Sequence, residues 1–168
     1  MARCRCRFAQ IVSTSSSNNA QVLGLIERAF GDAPRPKDSE LLHPKSMDPH
    51  DIEQLYGIPH WRDVPEMVIE HEYAALFFLG PAGFRHFLPA YMSYALRHPV
   101  TDQMVVESTV FALRPATDDL REFTLSKFTL FDDPQRAAVL AFLEAMATFD
   151  AFGDATLAEA LAYWRSLS

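Results

Sequence analysis

Cysteine is nearly absent from this sequence. Cys4 and Cys6 are the two cysteines among 168 residues, and two thiolates alone do not complete a tetrahedral zinc site. A chain of this length buries roughly 70% of its unfolded surface, so its core needs no disulfide or structural metal. Because the body of the chain has no cysteine, we expect a cytoplasmic protein, in a reducing compartment.

Glycine is also scarce, and its pattern argues against several classes of enzyme. The six glycines form neither the phosphate-binding loop G-x-x-x-x-G-K-[ST] nor the dinucleotide motif G-x-G-x-x-G. No serine stands in a G-x-S-x-G nucleophile elbow, and no apolar run approaches the roughly 20 residues of a membrane-spanning helix. We therefore expect no cofactor, no membrane partner and a protein that is not an enzyme.

Basic residues are in the minority beyond the amino terminus. Three of the 15 basic residues, Arg3, Arg5 and Arg7, lie in residues 1–19, which contain no acid; the other 12 and all 22 acids give the rest of the chain a net charge of −10. A body of this charge repels phosphate backbones, which excludes nucleic acid as a direct ligand. It suits a basic protein partner, through electrostatic steering and complementarity.

The chain divides by composition at residue 19. The opening MARCRCRF and the polar run that follows it predict a disordered basic leader over residues 1–19. From residue 20 to residue 168, apolar residues recur three and four apart, which is typical of helices. We predict a single, mainly α, compact bundle-like domain of about six helices, with at most a minor β element.

Local signals place several of these helices. Gly31 ends the first one, and Pro65 begins a helix that reaches Leu79. Asp132 with Gln135 three residues later forms a capping box. A last helix begins at Asp154. Residues 101–131 fit helices and strands equally well.

The most aromatic stretch, ALFFLGPAGFRHFLPAYMSYALRH (75–98), predicts an amphipathic helix from Gly83 to Arg97. Its aromatic face is either the hydrophobic centre of the domain or the wall of a groove. Pro89 falls on the polar side and is expected to kink the helix. The predicted polar side carries Arg85, His86, Ser93 and Arg97.

The loop GIPHWRDVP (57–65) is the first choice for a contact site. Polar residues on loops often carry function, and tryptophan and arginine are frequent hot spots of protein interfaces. In the alternative interpretation, Trp61 fills the core and Arg62 forms a surface pair with Asp63. The predicted binding residues are Trp61, Arg62, His60, Tyr56, Arg85 and His86.

A metal site is a second hypothesis. Glu66 and Glu70 are four residues apart, and His71 is adjacent, so all three could share one helix, with His60 as a further ligand. The motif H-E-x-x-H is incomplete, because position 75 is alanine. A metal-assisted hydrolase is therefore one alternative function, and a small-ligand sensor with a pocket under Pro89 is another.

Three stretches together resemble an uncharacterised family of small bacterial proteins. They are LYGIPHWRDVP, YAALFFLGPAGFRHFLPAYM and FTLFDDPQRAAVLAFLEAM, which match a tryptophan-containing loop, an LPAY stretch and a closing helix. The resemblance covers Val22 to Met146, and the basic tail lies outside it. It implies a bacterial protein, and it assigns no activity, cofactor or catalytic residue.

Taken together, these observations predict a non-enzymatic protein-binding module that engages a basic partner. The charge of the body, the missing catalytic motifs and the Trp61 loop support this prediction. Small, acidic, helical bacterial proteins include the immunity proteins that neutralise secreted toxins, so an immunity-like role is expected by analogy.

Overall fold

A computed structural model of the chain describes residues 3–44, 46, 49–99, 103–149 and 154–167. Side chains of residues 3–16, which include Cys4 and Cys6, lie outside the description. Within the described residues the fold has eight α helices and no strand. The helices are α1 (Arg3–Phe30), α2 (Glu66–His71), α3 (Ala75–Phe78), α4 (Pro81–Arg97), α5 (Gln103–Ala112), α6 (Arg121–Phe128), α7 (Asp133–Met146) and α8 (Asp154–Arg165).

The mainly α prediction is confirmed, and so are several helix ends. Helix α1 ends at Phe30, directly before Gly31. At the start of α7, the carboxylate of Asp132 accepts the Gln135 N–H at 2.9 Å, and the Gln135 side chain accepts the Asp132 N–H at 3.3 Å, so the capping box forms as predicted. No helix of the described part has both the length and the apolar character needed to cross a membrane.

Helix α1 begins at Arg3 and runs through residue 19, across the segment that the composition predicts to be a disordered leader. Residues 3–19 contain neither proline nor glycine, so no residue in the segment interrupts the helical hydrogen bonds. Asn19 connects α1 to α4, because its side-chain N–H donates to the carbonyl of Leu96 at 2.9 Å.

Helix α4 is the centre of the molecule and packs against α1, α2, α3, α5, α6 and α7. Except at Arg85, the side chains of residues 83–96 are buried on every face, so the predicted polar side is wrong for His86 and Ser93. Helix α1 and the short 3-10 turn Trp61–Asp63 cover that side. The helix continues through Pro89.

The predicted helix over residues 65–79 is interrupted. Glu72 leaves the helical conformation, with φ −96° and ψ 37°, and separates α2 from α3. Its carbonyl accepts the Tyr91 hydroxyl at 2.8 Å and the Ala75 N–H at 2.9 Å. The break is therefore stabilised by partners that replace the lost helical hydrogen bonds.

Residues 41–43 close against the end of α3. Leu42 and Leu79 form an isolated antiparallel bridge, in which the Gly80 N–H donates to the Leu41 carbonyl at 2.8 Å. A Cβ atom at Gly83 would lie 2.7 Å from that same carbonyl oxygen. Glycine at position 83 therefore allows this loop to approach α4 closely.

Candidate functional site

A cavity of about 620 Å³ lies between α3, the end of α5, the loop after α5, and α6. Its walls are mainly aromatic: the rings of Phe77 and Phe111 meet edge to face at a centroid distance of 5.6 Å. We call this cavity the Lys127 pocket. It is lined by Ser46, Phe77, Phe78, Phe111, Ala112, Arg114, Ala116, Asp118, Asp119, Leu120, Phe123, Thr124 and Lys127.

Lys127 is buried, with 3% of its surface exposed. Its ammonium nitrogen donates to the carbonyls of Leu76 at 2.9 Å and Phe77 at 2.7 Å. These carbonyls would normally accept the N–H groups four residues later, but Gly80 donates to Leu41 instead and Pro81 has no N–H. Lys127 therefore satisfies two carbonyls at the end of α3.

The charge on Lys127 has no carboxylate partner among the described residues. The nitrogen lies 4.3 Å from the ring centroid of Phe123 and 5.6 Å from that of Phe84, which gives partial compensation through the negative faces of the rings. Burial lowers the pKa of Lys127 to about 7, because removal from water disfavours the charged form. Both protonation states are therefore populated near neutral pH.

The rim of the pocket is open and mixed in character. Phe111 and Leu120 are 46% and 58% exposed. The Arg114 guanidinium lies 4.5 Å from the Phe111 ring centroid and pairs with Glu159 at 2.9 Å. The Asp118 carboxylate accepts the N–H of Leu120 at 2.9 Å. The pocket thus has an apolar interior, a cationic group in its wall, and charged residues of both signs at its mouth.

The predicted contact residue Trp61 is part of the core. It is 5% exposed, and its indole N–H donates to the Phe30 carbonyl at 3.1 Å. The Arg62 guanidinium lies 4.8 Å from the centroid of the Trp61 ring and pairs with Glu27 on α1. The structure therefore places the indole as in the core interpretation, with Arg62 at the surface above it.

His60 and His86 meet behind Trp61, with their ring centroids 5.9 Å apart. The Nδ1 atom of His60 accepts the Arg62 N–H at 3.1 Å, and its Nε2 atom lies 3.2 Å from the Gly31 carbonyl. His86 is 1% exposed, and neither ring nitrogen has a hydrogen-bond partner of good geometry in the described part of the chain. Burial, with a contribution from His60, lowers the pKa of His86 to about 4.

The other two predicted contact residues face different neighbours. Arg85 donates to the Gln135 side chain at 3.0 Å, and Gln135 in turn donates to the Ala29 carbonyl at 3.1 Å, so Arg85 helps to tie α4 to α7 and α1. Tyr56 is half-buried near Asp38, and its pKa is raised by burial and by that carboxylate. The six predicted residues thus do not form one exposed patch.

A second, shallower groove of about 430 Å³ runs between α1, α4 and the Trp61 turn. Trp61 and Arg62 line this groove, together with Glu27, Ser93 and Arg97. Ser93 and Ala90 belong to the helix around Pro89, where the sequence suggested a ligand pocket.

The proposed metal ligands do not converge. Glu66 pairs with Arg97 at 3.3 Å, and Glu70 accepts the Tyr94 hydroxyl at 2.8 Å. His71 lies 2.8 Å from the Gln54 amide. Across the described residues, no group of three or more histidine, cysteine, aspartate and glutamate side chains has the arrangement of a metal site. Each of these three α2 side chains is therefore paired with a residue that is not one of the proposed metal ligands.

Sequence reasoning missed the Lys127 pocket. One signal was present: the chain has twelve arginines and three lysines, and Lys127 is the one lysine after residue 45. It stands in REFTLSKF, two residues after Leu125 and directly before Phe128, and these apolar neighbours favour burial of its side chain. The carbonyls that hold it come from residues 51 and 50 positions earlier, which no local pattern indicates.

A family model described as Family of unknown function (DUF6714) matches residues 18–168. The chain belongs to this family. The match spans the whole of the described fold from the middle of α1 onward, including the Lys127 pocket and the Trp61 turn, and the resemblance to an uncharacterised family is thereby confirmed. No curated protein and no solved structure matches the chain.

Proposed function

We propose that this protein binds a small, largely apolar molecule in the Lys127 pocket, as a small-ligand sensor would. The observation that carries the proposal is the pocket itself. Its volume of about 620 Å³ lies in the range of ligand sites, about 300–1,000 Å³, and such sites combine apolar walls with a few polar groups. Four phenylalanines supply the walls, and Lys127 supplies a polar group within them.

The exposed rim supports the same proposal. Phe111 and Leu120 keep large apolar surfaces in contact with water, which costs free energy unless something covers them. A ligand that enters between them would bury both side chains against the phenyl rings inside. The Trp61 region offers less to a ligand, because its indole is already packed in the core.

Titration with N-phenyl-1-naphthylamine, a neutral probe that fluoresces in apolar surroundings, tests this proposal. The blocking variant is Ala116→Trp, because Ala116 lines the pocket and its small side chain leaves room that an indole would fill. The matched control is Ala137→Trp on the exposed face of α7. We expect saturable binding to the wild type and the control, and at least a tenfold weaker affinity for Ala116→Trp.

Two results would contradict the proposal. One is the absence of saturable probe binding to the folded wild type. The other is equal affinity of Ala116→Trp and Ala137→Trp, which would place the probe elsewhere. Circular dichroism of both variants shows whether each is folded, so that a loss of binding is not a loss of structure.

A non-enzymatic, immunity-like module that engages a basic protein stays a second proposal. The −10 charge of residues 20–168 supports it, and Glu27 is an acidic residue in the groove beside Arg62. A pull-down from host lysate with the wild type and with Glu27→Lys tests it, since charge reversal in the groove would repel a basic partner. A stoichiometric basic protein held by the wild type and lost from the variant is the expected result; equal retention by both would count against this groove.

A further inference from the structure

We infer that the ligand of the Lys127 pocket carries a single carboxylate group, which pairs with the Lys127 ammonium group. The inference rests on the proposed function and specifies its ligand as an apolar monocarboxylate. It follows from the hydrogen-bonding capacity of Lys127, from the missing counter-charge, and from the charges at the rim.

The hydrogen bonds of Lys127 leave one donor over. A charged lysine has three N–H groups, and two of them donate to the carbonyls of Leu76 and Phe77. In the described part of the chain the third has no oxygen acceptor, only the aromatic rings of Phe123 and Phe84. A carboxylate in the pocket would accept a hydrogen bond from this third N–H group and would leave the two existing hydrogen bonds in place.

The charge of Lys127 is equally uncompensated. Among the described residues, the charged and titratable groups around the pocket are Arg114 on one side, Asp118 and Asp119 at the mouth, and His43, whose ring packs 4.1 Å from that of Phe123. None of them forms an ion pair with Lys127. A buried charge without a partner is costly, so a ligand that supplies the opposite charge gains what the folded chain does not provide.

The rim limits the charge of the ligand to one. Asp118 and Asp119 line the mouth and would repel a second anionic group that remained there. An apolar body suits the mouth better, because Phe111 and Leu120 are exposed beside the two aspartates. The ligand therefore enters with its carboxylate toward Lys127 and its apolar part toward the rim.

Binding of a carboxylate must then be coupled to protonation of Lys127. In the unliganded protein Lys127 has a pKa of about 7, and a bound carboxylate favours the charged form of the lysine. By linkage the affinity is greatest below pH 7, where Lys127 is charged, and falls as pH rises through the free pKa. The total fall in affinity equals the factor by which the ligand shifts the protonation of Lys127, about tenfold for each unit by which binding raises its pKa, whereas a ligand of equal shape without charge shows no such change.

Competition between 2-naphthoate and 2-naphthamide tests the inference in the wild-type protein. The two have the same ring system and differ in charge. Each is titrated against bound N-phenyl-1-naphthylamine at pH 6.5 and at pH 9. We expect the carboxylate to displace the probe at about one tenth of the amide concentration or less at pH 6.5, and to lose this advantage at pH 9.

Variants then assign the preference to one residue. Lys127→Met should remove the advantage of the carboxylate at both pH values, whereas Lys37→Met, which alters an exposed lysine outside the pocket, should keep it. Arg114→Gln alters the other cation of the pocket and tests whether that residue pairs with the carboxylate. Should Lys127→Met fail to fold, the pH dependence in the wild type decides alone. A preference that is lost in Arg114→Gln instead would overturn the assignment to Lys127.

The outcomes separate this inference from the proposed function. Probe binding with equal displacement by naphthoate and naphthamide, or with displacement by neither, overturns the carboxylate inference and leaves the apolar pocket in place. Absence of probe binding overturns both. A carboxylate advantage that does not change between pH 6.5 and pH 9 also contradicts the inference, because the pairing group would then not be Lys127.

Discussion

Within the described part of the chain, two basic side chains are buried without a counter-charge, and the regions around them differ. His86 is enclosed between α4, α1 and the Trp61 turn, and its ring packs 4.8 Å from that of Phe87. Lys127 is equally buried but stands in the wall of a cavity with an exposed rim. Burial of a basic group alone therefore does not indicate a binding site; the group must also be accessible from a cavity.

Chemistry sharpens this difference. An imidazole with a lowered pKa is neutral at pH 7, as most free histidines are, so His86 belongs to the core without further consequence at that pH. A lysine with a lowered pKa has moved from fully charged to half charged. The same desolvation thus leaves one group inert and brings the other to the point where a ligand can change its protonation.

Trp61→Ala should have the largest effect on the free energy of unfolding. A small effect would mean that the region around Trp61 and His86 is not enclosed as described above. Truncating a tryptophan that is 5% exposed and that donates to the Phe30 carbonyl is expected to lower the free energy of unfolding by about 3–5 kcal/mol. Urea denaturation measures the change. Arg62→Ala is the control, because its exposed pair with Glu27 should contribute under about 1 kcal/mol. A Trp61→Ala variant as stable as the wild type would mean that Trp61 lies at the surface and not in the core.

His86→Leu tests the enclosed region through acid stability. The folded pKa of about 4 lies below the ordinary 6.5, so the unfolded chain binds more protons between these values and the wild type loses stability as pH falls through them. The loss from pH 7 to pH 4.5 attributable to His86 is about 2 kcal/mol. The leucine variant should lose less by that amount, measured by thermal or urea unfolding at both pH values. Parallel curves for the two proteins would show that His86 titrates normally.

Lys127→Met tests the open region on the alkaline side. The folded pKa of about 7 lies below 10.5, so the folded state binds fewer protons between these values and the wild type gains stability as pH rises from 7. The gain between pH 7 and pH 9 is about 2 kcal/mol. The Lys127→Met variant should lack this gain in stability. The control variant Lys37→Met, which replaces an exposed lysine, should keep it. Equal slopes for wild type and Lys127→Met would mean that Lys127 keeps its ordinary pKa.

Phe111→Ala should have the smallest effect on stability and a clear effect on binding. The ring is 46% exposed, so its loss is expected to cost within about 1 kcal/mol, whereas it removes part of the pocket wall. Affinity for N-phenyl-1-naphthylamine should fall several-fold. Leu130→Ala removes a side chain of similar exposure outside the pocket and should leave the affinity unchanged.

Helix ends could be predicted because their signals are local. Gly31 and the Asp132–Gln135 capping box act within one turn, and the structure shows both where the sequence indicated them. The role of Trp61 could not be predicted in the same way, because a large amphipathic ring suits an interface and a core equally well. Its partner, the Phe30 carbonyl, is 31 residues away.

The pocket lay beyond local patterns for a similar reason. Its wall combines Phe77, Phe111 and Lys127 from three helices, and two of these residues fall in 101–131, where the sequence fits helix and strand alike. What makes Lys127 unusual is the lack of a backbone donor after α3, which depends on Gly80 donating to Leu41. Such a vacancy arises from tertiary packing and leaves no periodic signal.

The pKa of Lys127, read directly in the free and the liganded protein, is the most direct test of the account. Carbon-13 labelling of the three lysines gives three side-chain signals, and the Lys127→Met variant identifies the one that matters. We expect Lys127 to titrate near pH 7 in the free protein, its pKa to rise by about one unit or more with saturating 2-naphthoate, and no change with 2-naphthamide. A Lys127 signal that titrates near its ordinary value and ignores both compounds would contradict it.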